Sequence, residues 1–460
     1  MKKITTLLLL MLFYCLALDS AAQSVIKIEA GTDVISDAYE TAASGDIIEL
    51  VTDGGSYIES SDFVIEKGKK ITIRAAEGLT VKPKWTASGG WALIQPADGV
   101  TLKGISFDGT LGGGHREVGI RGAEPEWNEL QIGYVMKIYD CDFYNFNYAI
   151  YGEDNNQLDT LLIEGCTFQK MSNQAIQFSG GKIAPGQVKN FICQNSTFWD
   201  IGGTAIDLQS TALDANPQAK FLVNHVTIHN AADGNINAEN IDGAIIKNSI
   251  ITNSGSALGY ACVIYGKNSV VSNLLYHNLS GVNLQGEAAE DQLSNLLAGV
   301  DPLYASAVSG NFTLMTNSMA INAGDDGKSL GDSRWWPENN TKYIFIAEGE
   351  NEISTALASA VDGQTLVLIT DGGIYHEDAK LIVNKKIILK AAEGLKQKPV
   401  LTSGSTSAMI EISKDFLLKG VILDGALGGT LTATGITNTP NTSGYNLTVL
   451  ESDFLNFISV

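Results

Sequence analysis

Four six-residue segments of the chain align without gaps: CDFYNF at 141–146, CTFQKM at 166–171, STFWDI at 196–201 and VTIHNA at 226–231. Each has an apolar third residue, and these residues follow one another at intervals of 25, 30 and 30: Phe143, Phe168, Phe198 and Ile228. A second apolar series comes seven or eight residues later each time: Ile150, Ile176, Ile206 and Ile236. Two apolar positions that recur together describe a coil with at least two strands and a bend between them. Since stacked coils bury each position on its counterpart, the spacing predicts an all-β, parallel β-helix.

A longer repeat surrounds this ladder. KKITIRAAEGLTVKP at 69–83 returns as KKIILKAAEGLKQKP at 385–399, and LKGISFDGTLGG at 102–113 returns as LKGVILDGALGG at 418–429. Both pairs are offset by 316 residues. A constant offset over separate segments indicates duplication of a folded unit. We therefore expect two tandem β-helices, at 23–337 and 338–460.

The second copy is expected to be truncated. LESDFLNF at 450–457 corresponds to YDCDFYNF at 139–146, after which the first copy continues for more than a hundred residues. We therefore expect further C-terminal domains in a longer protein.

A helical pattern precedes the first repeat. Val34, Ile35, Ala38, Tyr39 and Ala42 fit one face of a helix. Because a solenoid must cover its open ends, this pattern predicts short N-terminal capping helices.

The first 22 residues have the pattern of a signal peptide. Lys2 and Lys3 precede an apolar run over residues 4–18, and small residues follow at 20–22. The run is too short to span a bilayer, and we expect no transmembrane segment elsewhere. The pattern predicts a secreted or cell-surface protein.

Charge and cysteine content narrow the expected partners. The net charge of −21 argues against nucleic acid as a partner, and acidic polysaccharides would be repelled unless a cation bridges them. Four cysteines follow the signal peptide without any CxxC pair, which argues against zinc: Cys141, Cys166, Cys193 and Cys262. We expect them to be free, buried thiols.

Strand alternation assigns side chains to the two faces of each strand. With Phe143 inward, Tyr144 faces outward, and the corresponding positions on the next coils hold Gln169, Trp199 and His229. Aromatic rings on successive coils can stack on sugar rings, while Gln and His donate hydrogen bonds to hydroxyl groups. This strip is a candidate polysaccharide-binding surface; alternatively, a loop or the next domain covers it.

A second outward strip runs beside the isoleucine column and contains carboxylates. Asp207 and Glu239 are expected one coil apart on it, with Asn235 and Asn237 also facing outward. Glycoside hydrolysis needs two positioned carboxyl groups, so Asp207 and Glu239 are candidate catalytic residues.

The coil pattern resembles the pectin-lyase-like superfamily of right-handed parallel β-helices. DPLYASAVSGNFTLMTNSMAINAG at 301–324 resembles the closing segment of many secreted β-helix proteins from Bacteroidetes. In architecture the nearest enzymes are the chondroitinase B and alginate lyase family. This resemblance implies a fold more than a function, because the fold carries lyases, hydrolases, esterases and adhesins.

The resemblance also implies a lyase chemistry. A lyase of that family would use Lys and Arg beside a calcium ion held by Asn and Glu. The nearest match is NINAENIDGAIIK at 235–247, where Asn237 and Glu239 would bind Ca²⁺ and Lys247 would be the base. The partner Arg has no match in the sequence.

Two hypotheses for the function follow. In the first, the protein is a lyase-like enzyme acting on uronate-containing glycans, with calcium as cofactor. In the second, it is a non-catalytic glycan-binding, adhesin or scaffold protein of the cell surface.

Overall fold

The computed structural model describes residues 23–111, 114–122, 131–152, 156–178, 187–209, 220–254, 259–285, 292–337, 339, 343–392, 395–426, 431–440 and 443–458. These residues form an all-β parallel solenoid with a right-handed-like winding of about 14 turns. The described part contains two α-helices, α1 (Val34–Thr41) and α2 (Glu352–Ser359). The predicted β-helix is therefore confirmed as a parallel β-solenoid, while the signal peptide predicted at 1–22 lies outside the described residues.

The chain divides into two compact units. Unit 1 comprises the residues up to 300 together with 323–332, and unit 2 comprises 301–322 together with the residues from 333 onward. Residues 301–322 and 333–337 belong to unit 2, and the domain boundary predicted after residue 337 stays a prediction.

Unit 1 holds 26 described strands, which are, in chain order, β1 Val25–Ile28, β2 Ile47–Leu50, β3 Ser56–Glu59, β4 Phe63–Ile65, β5 Ile71–Ala75, β6 Lys84–Ala87, β7 Ala92–Pro96, β8 Val100–Lys103, β9 Ser106–Asp108, β10 Thr110–Leu111, β11 Gly114–Arg121, β12 Gln131–Tyr139, β13 Asp142–Tyr144, β14 Phe146–Gly152, β15 Asn156–Glu164, β16 Thr167–Met171, β17 Ile176–Phe178, β18 Gln187–Ile201, β19 Thr204–Gln209, β20 Lys220–Ala231, β21 Gly234–Glu239, β22 Ala244–Ser254, β23 Tyr260–Tyr265, β24 Val270–His277, β25 Gly281–Gln285 and β26 Leu293–Ala298.

Two sheets make up unit 1 in its described part, and they are parallel except for the antiparallel pair β10–β11. The larger sheet has 16 strands and includes β18, β20, β22 and β24. The smaller sheet has 10 strands, and its neighbours run β25-β23-β21-β19-β17-β14-β11-β7-β4. Each coil therefore contributes to both sheets, and the two sheets present different outward surfaces.

Unit 2 holds the remaining described strands, which are β27 Tyr304–Ser306, β28 Asn311–Leu314, β29 Tyr343–Ile346, β30 Gly349–Glu350, β31 Thr365–Leu368, β32 Ile374–Glu377, β33 Leu381–Val383, β34 Ile387–Ala391, β35 Val400–Ser403, β36 Ala408–Ile412, β37 Phe416–Lys419, β38 Ile422–Asp424, β39 Thr434–Asn438, β40 Leu447–Leu450 and β41 Asp453–Leu455. Three parallel sheets run in the orders β29-β31-β34-β37-β40, β30-β32-β35-β38-β41 and β33-β36-β39, and β27 pairs antiparallel with β28.

The apolar ladder predicted from the sequence forms the core of unit 1. The column pairs in register from coil to coil through Phe107, Phe143, Phe168, Phe198 and Ile228. Adjacent phenylalanine rings are stacked, with centroids 4.6, 5.1 and 4.6 Å apart. The isoleucine column pairs in the same way and continues into Cys262. Register is fixed because a slip by one residue would turn the apolar side chains outward.

A single residue with left-handed backbone bends the chain in many coils, between β12 and β13 in one case and within β18, β22 and β24 in others. Asp140, Asn195, Asn248 and Asn273 occupy this position with φ of 50°, 48°, 52° and 49°. Asn and Asp tolerate that conformation better than other residues with a Cβ atom. The abundance of asparagine in the sequence thus serves the bends of the solenoid.

The cysteines follow the expectation of buried thiols. Cys141, Cys166, Cys193 and Cys262 are free and buried. The Cys166 thiol lies 3.4 Å from the Glu164 carbonyl oxygen, which accepts its weak hydrogen bond. Over the described residues, no helix combines the length and the apolar character that a membrane crossing demands.

Candidate functional site

A cleft of about 350 Å³ opens on the outward surface of the smaller sheet of unit 1. Four oxygen-bearing side chains of one segment line it, Asp233, Asn235, Asn237 and Glu239, and two tyrosines of the next coil flank them, Tyr260 and Tyr265. The register explains this arrangement, because β21 pairs with β23 and Glu239 lies directly beside Tyr265. No Lys or Arg belongs to the described residues that line the cleft.

Asp207 lies one coil from the cleft and is joined to it. Its carboxylate accepts a hydrogen bond from the Asn237 amide at 2.9 Å, and Asp207 pairs in register with Asn237. On the other side, the Gln177 amide lies 3.5 Å from the second carboxylate oxygen. The Asp207 side chain thus sits between two amides on consecutive coils.

Burial raises the pKa of the Asp207 carboxyl above its ordinary value. The side chain is 7% exposed, so water stabilises its charged form poorly. Hydrogen bonds from neighbouring amides, that of Asn237 first, act in the opposite direction. The result is a carboxyl group that keeps its proton to higher pH than an exposed aspartate, which suits an acid.

Glu239 lies diagonal to Asp207 on the same surface. Gln209, two residues after Asp207, is the residue that pairs in register with Glu239. With a strand separation of about 4.8 Å and a rise of about 3.3 Å per residue, two such positions are about 8 Å apart along the sheet. Asp207, Asn237 and Glu239, named from the sequence, therefore come together on one surface.

Asn235 does not face outward as alternation suggested. It is 1% exposed, and its amide donates a hydrogen bond to the Tyr260 carbonyl oxygen at 2.9 Å. Two consecutive residues of β21, Asn235 and Ile236, are both buried, so strict alternation fails at the start of this strand. The Asn235 side-chain oxygen is buried without a hydrogen-bond partner at the edge of the cleft.

Lys247 lies on a different sheet from the cleft. It belongs to β22 of the larger sheet, whereas Asn237 and Glu239 belong to β21 of the smaller one. Its ammonium group is paired with the Asp325 carboxylate at 2.7 Å. The structure thus separates Lys247 from the two residues with which the sequence grouped it, because the chain bends between β21 and β22.

A segment of ten residues, 323–332, crosses the larger sheet beside Lys247. Asp325 also accepts a hydrogen bond from the Asn248 amide at 2.7 Å, and the Asp326 carboxylate lies 3.0 Å from the His225 ring. At the end of the segment, Asp332 accepts a hydrogen bond from the Thr197 hydroxyl at 2.7 Å. We call residues 323–332 the strap.

The aromatic strip named from the sequence lies near the strap. Tyr144, Gln169, Trp199 and His229 pair in register on four consecutive coils, and all four are half-buried. The strap is bonded to the position two residues before Trp199. Burial lowers the pKa of His229, and its Nδ1 lies 2.8 Å from the Thr252 hydroxyl. The aromatic strip is therefore continuous over four coils, and the strap lies beside it.

Calcium was expected at Asn237 and Glu239. Ca²⁺ takes six to eight oxygen ligands in proteins. Among the described residues, no group of three or more His, Cys, Asp or Glu side chains is placed to hold a metal ion. These two residues supply only part of a calcium shell, so calcium stays a prediction and no chemical step is assigned to it.

The sequence did not single out Tyr260 and Tyr265 as site residues. They lie one coil beyond the last segment of the gapless alignment, where residues 255–258 interrupt the pattern. The sequence feature that could have indicated them is the continuation of the isoleucine column into Cys262. That continuation places both tyrosines on the strand next to β21.

No protein-family model matches the sequence, and no curated protein matches it. Among solved structures, the chain is similar to the PL6 family alginate lyase AlyGC, with 14% identity and a TM-score of 0.24, covering 94% of this chain and 76% of that one. It is also similar to the catalytic unit of a thermostable GH87 α-1,3-glucanase from Streptomyces thermodiastaticus, with 12% identity and a TM-score of 0.26, covering 94% and 69%. Similarity of this extent leaves the function to be argued from the site itself.

Proposed function

We propose that this chain binds glycans in the cleft of unit 1. The observation that carries the proposal is the composition of the cleft: four oxygen-bearing side chains of the segment 233–239 lie beside two tyrosines of the next coil. Sugars present an apolar ring face and several hydroxyl groups, which aromatic rings and carboxylate or amide groups recognise together.

A neutral glycan fits this cleft better than an acidic one. Asp233 and Glu239 line it, and its described lining contains no cationic side chain. A uronate carboxylate would face like charges there, which disfavours binding. An acidic glycan would need a bridging cation, which is how the predicted calcium ion would act.

The binding test uses the full chain and isothermal titration with defined oligosaccharides. Neutral cello-, laminari-, xylo- and manno-oligosaccharides are compared with oligogalacturonates, each with calcium and with a chelator. We expect at least one neutral series to bind, Tyr265→Ala to weaken that binding about tenfold, and Tyr265→Phe to keep it, since the ring remains. Absence of binding to every neutral series would overturn the proposal for neutral glycans; calcium-dependent binding of oligogalacturonates would replace it with the acidic alternative.

Glycoside hydrolysis is a second candidate function, favoured by the raised pKa of Asp207. In this mechanism Asp207 donates its proton to the glycosidic oxygen and Glu239 acts as the second carboxylate. Asp207→Asn keeps an acceptor for the Asn237 amide but cannot donate an acid proton. We expect Asp207→Asn to abolish the release of reducing ends that the unmodified chain shows, and to change oligosaccharide affinity by less than about threefold. Equal release of reducing ends by the unmodified chain and the variant would exclude this role for Asp207.

The uronate lyase hypothesis needs another base than Lys247. That residue is held by Asp325 on the larger sheet, away from the cleft. A lyase assay on alginate, chondroitin and pectin, read as ultraviolet absorbance of unsaturated ends, tests the hypothesis directly. Lys247→Met is expected to leave any such activity unchanged.

We further propose that unit 2 is a second copy of unit 1 and that α1 and α2 are caps. Matching hydrogen bonds support the duplication: the Tyr57 hydroxyl donates to the Ile28 carbonyl oxygen at 3.0 Å, and the Tyr375 hydroxyl donates to the Ile346 carbonyl oxygen at 2.9 Å. The caps are supported by the buried faces of both helices, including Ile35 and Ile353. Export through residues 1–22 is proposed from the sequence pattern.

A further inference from the structure

A groove of about 580 Å³ opens on the larger sheet of unit 1, where β5, β8 and β12 are neighbours. Three exposed lysines line it, Lys67, Lys70 and Lys137. Within the described part of the chain, none of these three lysines forms an ion pair. The groove therefore concentrates positive charge on a chain whose net charge is −21.

Asp98 is the one acidic residue among the described residues that line the groove. Its two carboxylate oxygens accept the backbone N–H groups of Gly68 at 2.7 Å and of Gly99 at 2.6 Å. These bonds hold the carboxylate against the backbone and away from the lysine side chains. The described lining thus keeps an excess of two positive charges.

Strand register brings the lysines of different coils to one surface. Lys137 pairs in register with Thr101, which pairs with Thr72, and Lys70 lies two residues before Thr72. From strand separation and rise, the Cα atoms of Lys70 and Lys137 are about 12 Å apart. Flexible four-carbon stems allow both ammonium groups to reach one anion across that span. The two threonine hydroxyls lie on the same surface.

Unit 2 carries an acid where unit 1 has a glycine of this groove. The offset of 316 residues places Lys386 at the position of Lys70 and Asp415 at the position of Gly99. The backbone agrees, because the carbonyl oxygen of Gly99 or Asp415 accepts the N–H of the isoleucine after the lysine, at 3.2 Å in both units. The Asp415 carboxylate lies 3.6 Å from the Lys386 ammonium group. Glycine in unit 1 removes that partner from Lys70.

A second acid of unit 2 is also missing from the groove. The Lys386 backbone N–H donates to the Asp362 carboxylate at 2.9 Å, whereas the Lys70 backbone N–H donates to the Ser44 hydroxyl at 3.1 Å. Two carboxylates near the lysine of unit 2 thus correspond to a glycine and a serine in unit 1.

The paired row across the three strands differs in the same direction. In unit 1 the row is polar and ends in a cation, with Thr72, Thr101 and Lys137. In unit 2 the row is largely apolar, with Ile388, Leu417 and Thr448. A general requirement of the fold does not explain the lysines and hydroxyls of unit 1, because unit 2 forms the same strands without them.

We propose that this groove is a binding site for a phosphate group. Lysine ammonium groups bind phosphate as compact point charges, and threonine hydroxyls donate hydrogen bonds to its oxygens. A phosphate monoester carries a charge of about −1.5 to −2 at neutral pH, which matches the excess charge of the lining. The one aromatic residue of the described lining, Tyr134, is buried, so the groove offers no exposed ring for a sugar. The proposal is independent of glycan binding in the cleft, because the described linings of groove and cleft share no residue.

The test is calorimetric titration of the full chain at low ionic strength with inorganic phosphate, glucose 6-phosphate, glucuronate and glucose. We expect a Kd of about 1 mM for at least one of the two phosphates. Glucuronate, with a single charge, should bind about tenfold more weakly, and glucose should show no saturable binding. Tighter binding of glucose 6-phosphate than of inorganic phosphate assigns the groove to a phosphate ester, and the reverse assigns it to the free ion. Absence of binding by both phosphates, or glucuronate binding as tightly as the better phosphate, would overturn the proposal.

Substitutions at Gly99 locate the site. Gly99→Asp installs the carboxylate of unit 2 beside Lys70 and should weaken phosphate binding about tenfold. Gly99→Asn is the matched control, because it has the same size without the charge, and should keep the affinity within about threefold. A Cβ atom at this position would lie 3.4 Å from Lys70 Cγ and from the Val135 carbonyl oxygen, which is ordinary contact. Equal affinities of the folded Asp and Asn variants, checked by circular dichroism, would reject the site.

Lysine substitutions provide a second measurement. Lys137→Met should weaken phosphate binding about tenfold, since it removes one of the three ammonium groups of the groove. Lys386→Met should leave the affinity unchanged, because that lysine belongs to unit 2 and is paired with Asp415. An affinity that Lys137→Met leaves unchanged, or that Lys386→Met lowers equally, would place the phosphate elsewhere and contradict the proposal.

Discussion

The Asn237 amide donates a hydrogen bond to the Asp207 carboxylate at 2.9 Å, from one coil of the solenoid to the next. The bond exists because the two residues occupy paired outward positions of β19 and β21. It joins a buried carboxylate to the strand that lines the cleft. The interaction therefore couples the stability of the stack to the protonation of its buried acid.

We expect Asn237→Ala to destabilise unit 1 by about 1–3 kcal/mol, because it removes the hydrogen bond to a buried charged group. Urea unfolding at neutral pH, followed by fluorescence, measures the loss. Asn283→Ala is the matched control, since Asn283 lies two coils further in the same outward column. Similar losses in the two variants would mean that the bond to Asp207 adds nothing specific.

Asp207→Asn should stabilise the protein at neutral pH. The raised pKa means that the folded state favours the protonated form of the Asp207 carboxyl. The contribution of this group to the free energy of unfolding is therefore fully present below the ordinary pKa of 3.8 and is lost as pH rises through the pKa of the folded state. The amide variant stays neutral at every pH and avoids that loss. Unfolding midpoints at pH 3 and pH 8 should differ little at the lower pH and favour Asp207→Asn at the higher; a less stable variant at pH 8 would contradict the sign.

The strap should show the opposite pH dependence. Hydrogen bonds from Lys247 and then Asn248 hold the pKa of Asp325 below its ordinary value. Its contribution is therefore present above pH 3.8 and is lost as pH falls through the lowered folded pKa. Because the Asp325 side chain is 41% exposed, we expect Asp325→Asn to cost less than about 1 kcal/mol at pH 7.

Hydrogen exchange over residues 323–332 measures that effect locally. Asp325→Asn and Lys247→Met should each speed exchange of the strap at pH 7, and the double variant should match either single one. Additive effects of the two substitutions would show that the ion pair is not what holds the strap.

The core of the solenoid was predictable because it depends on spacing. Phe143, Phe168 and Phe198 are apolar at regular intervals, and regular intervals are what a stacked coil requires. Register then follows, so the outward strips that contain Tyr144 and Asp207 could also be assigned from alternation. Alternation failed at Asn235, which is buried beside Ile236, because a coil that bends between its strands does not keep the period of a straight strand.

Relations between sheets were not predictable in the same way. Lys247 is eight residues from Glu239, and proximity in sequence suggested a shared site. The bend between β21 and β22 directs the two residues to different surfaces, and the partner of Lys247 is Asp325, 78 residues further along. Nothing in local spacing indicates that a distant segment crosses the coil there.

Two buried tyrosines should contribute equally to the two units. The Tyr57 hydroxyl also accepts the Thr52 backbone N–H at 3.2 Å, and the Tyr375 hydroxyl accepts that of Thr370 at 3.1 Å. Phe at either position keeps the ring but leaves the part-buried backbone N–H of Thr52 or Thr370 without its acceptor, at a cost of about 1–3 kcal/mol. Calorimetry of Tyr57→Phe and Tyr375→Phe should show similar losses, whereas Tyr265→Phe, 38% exposed, should cost less than about 0.5 kcal/mol. A loss in one unit alone would mean that the shared hydrogen bonds do not carry the same weight in the two units.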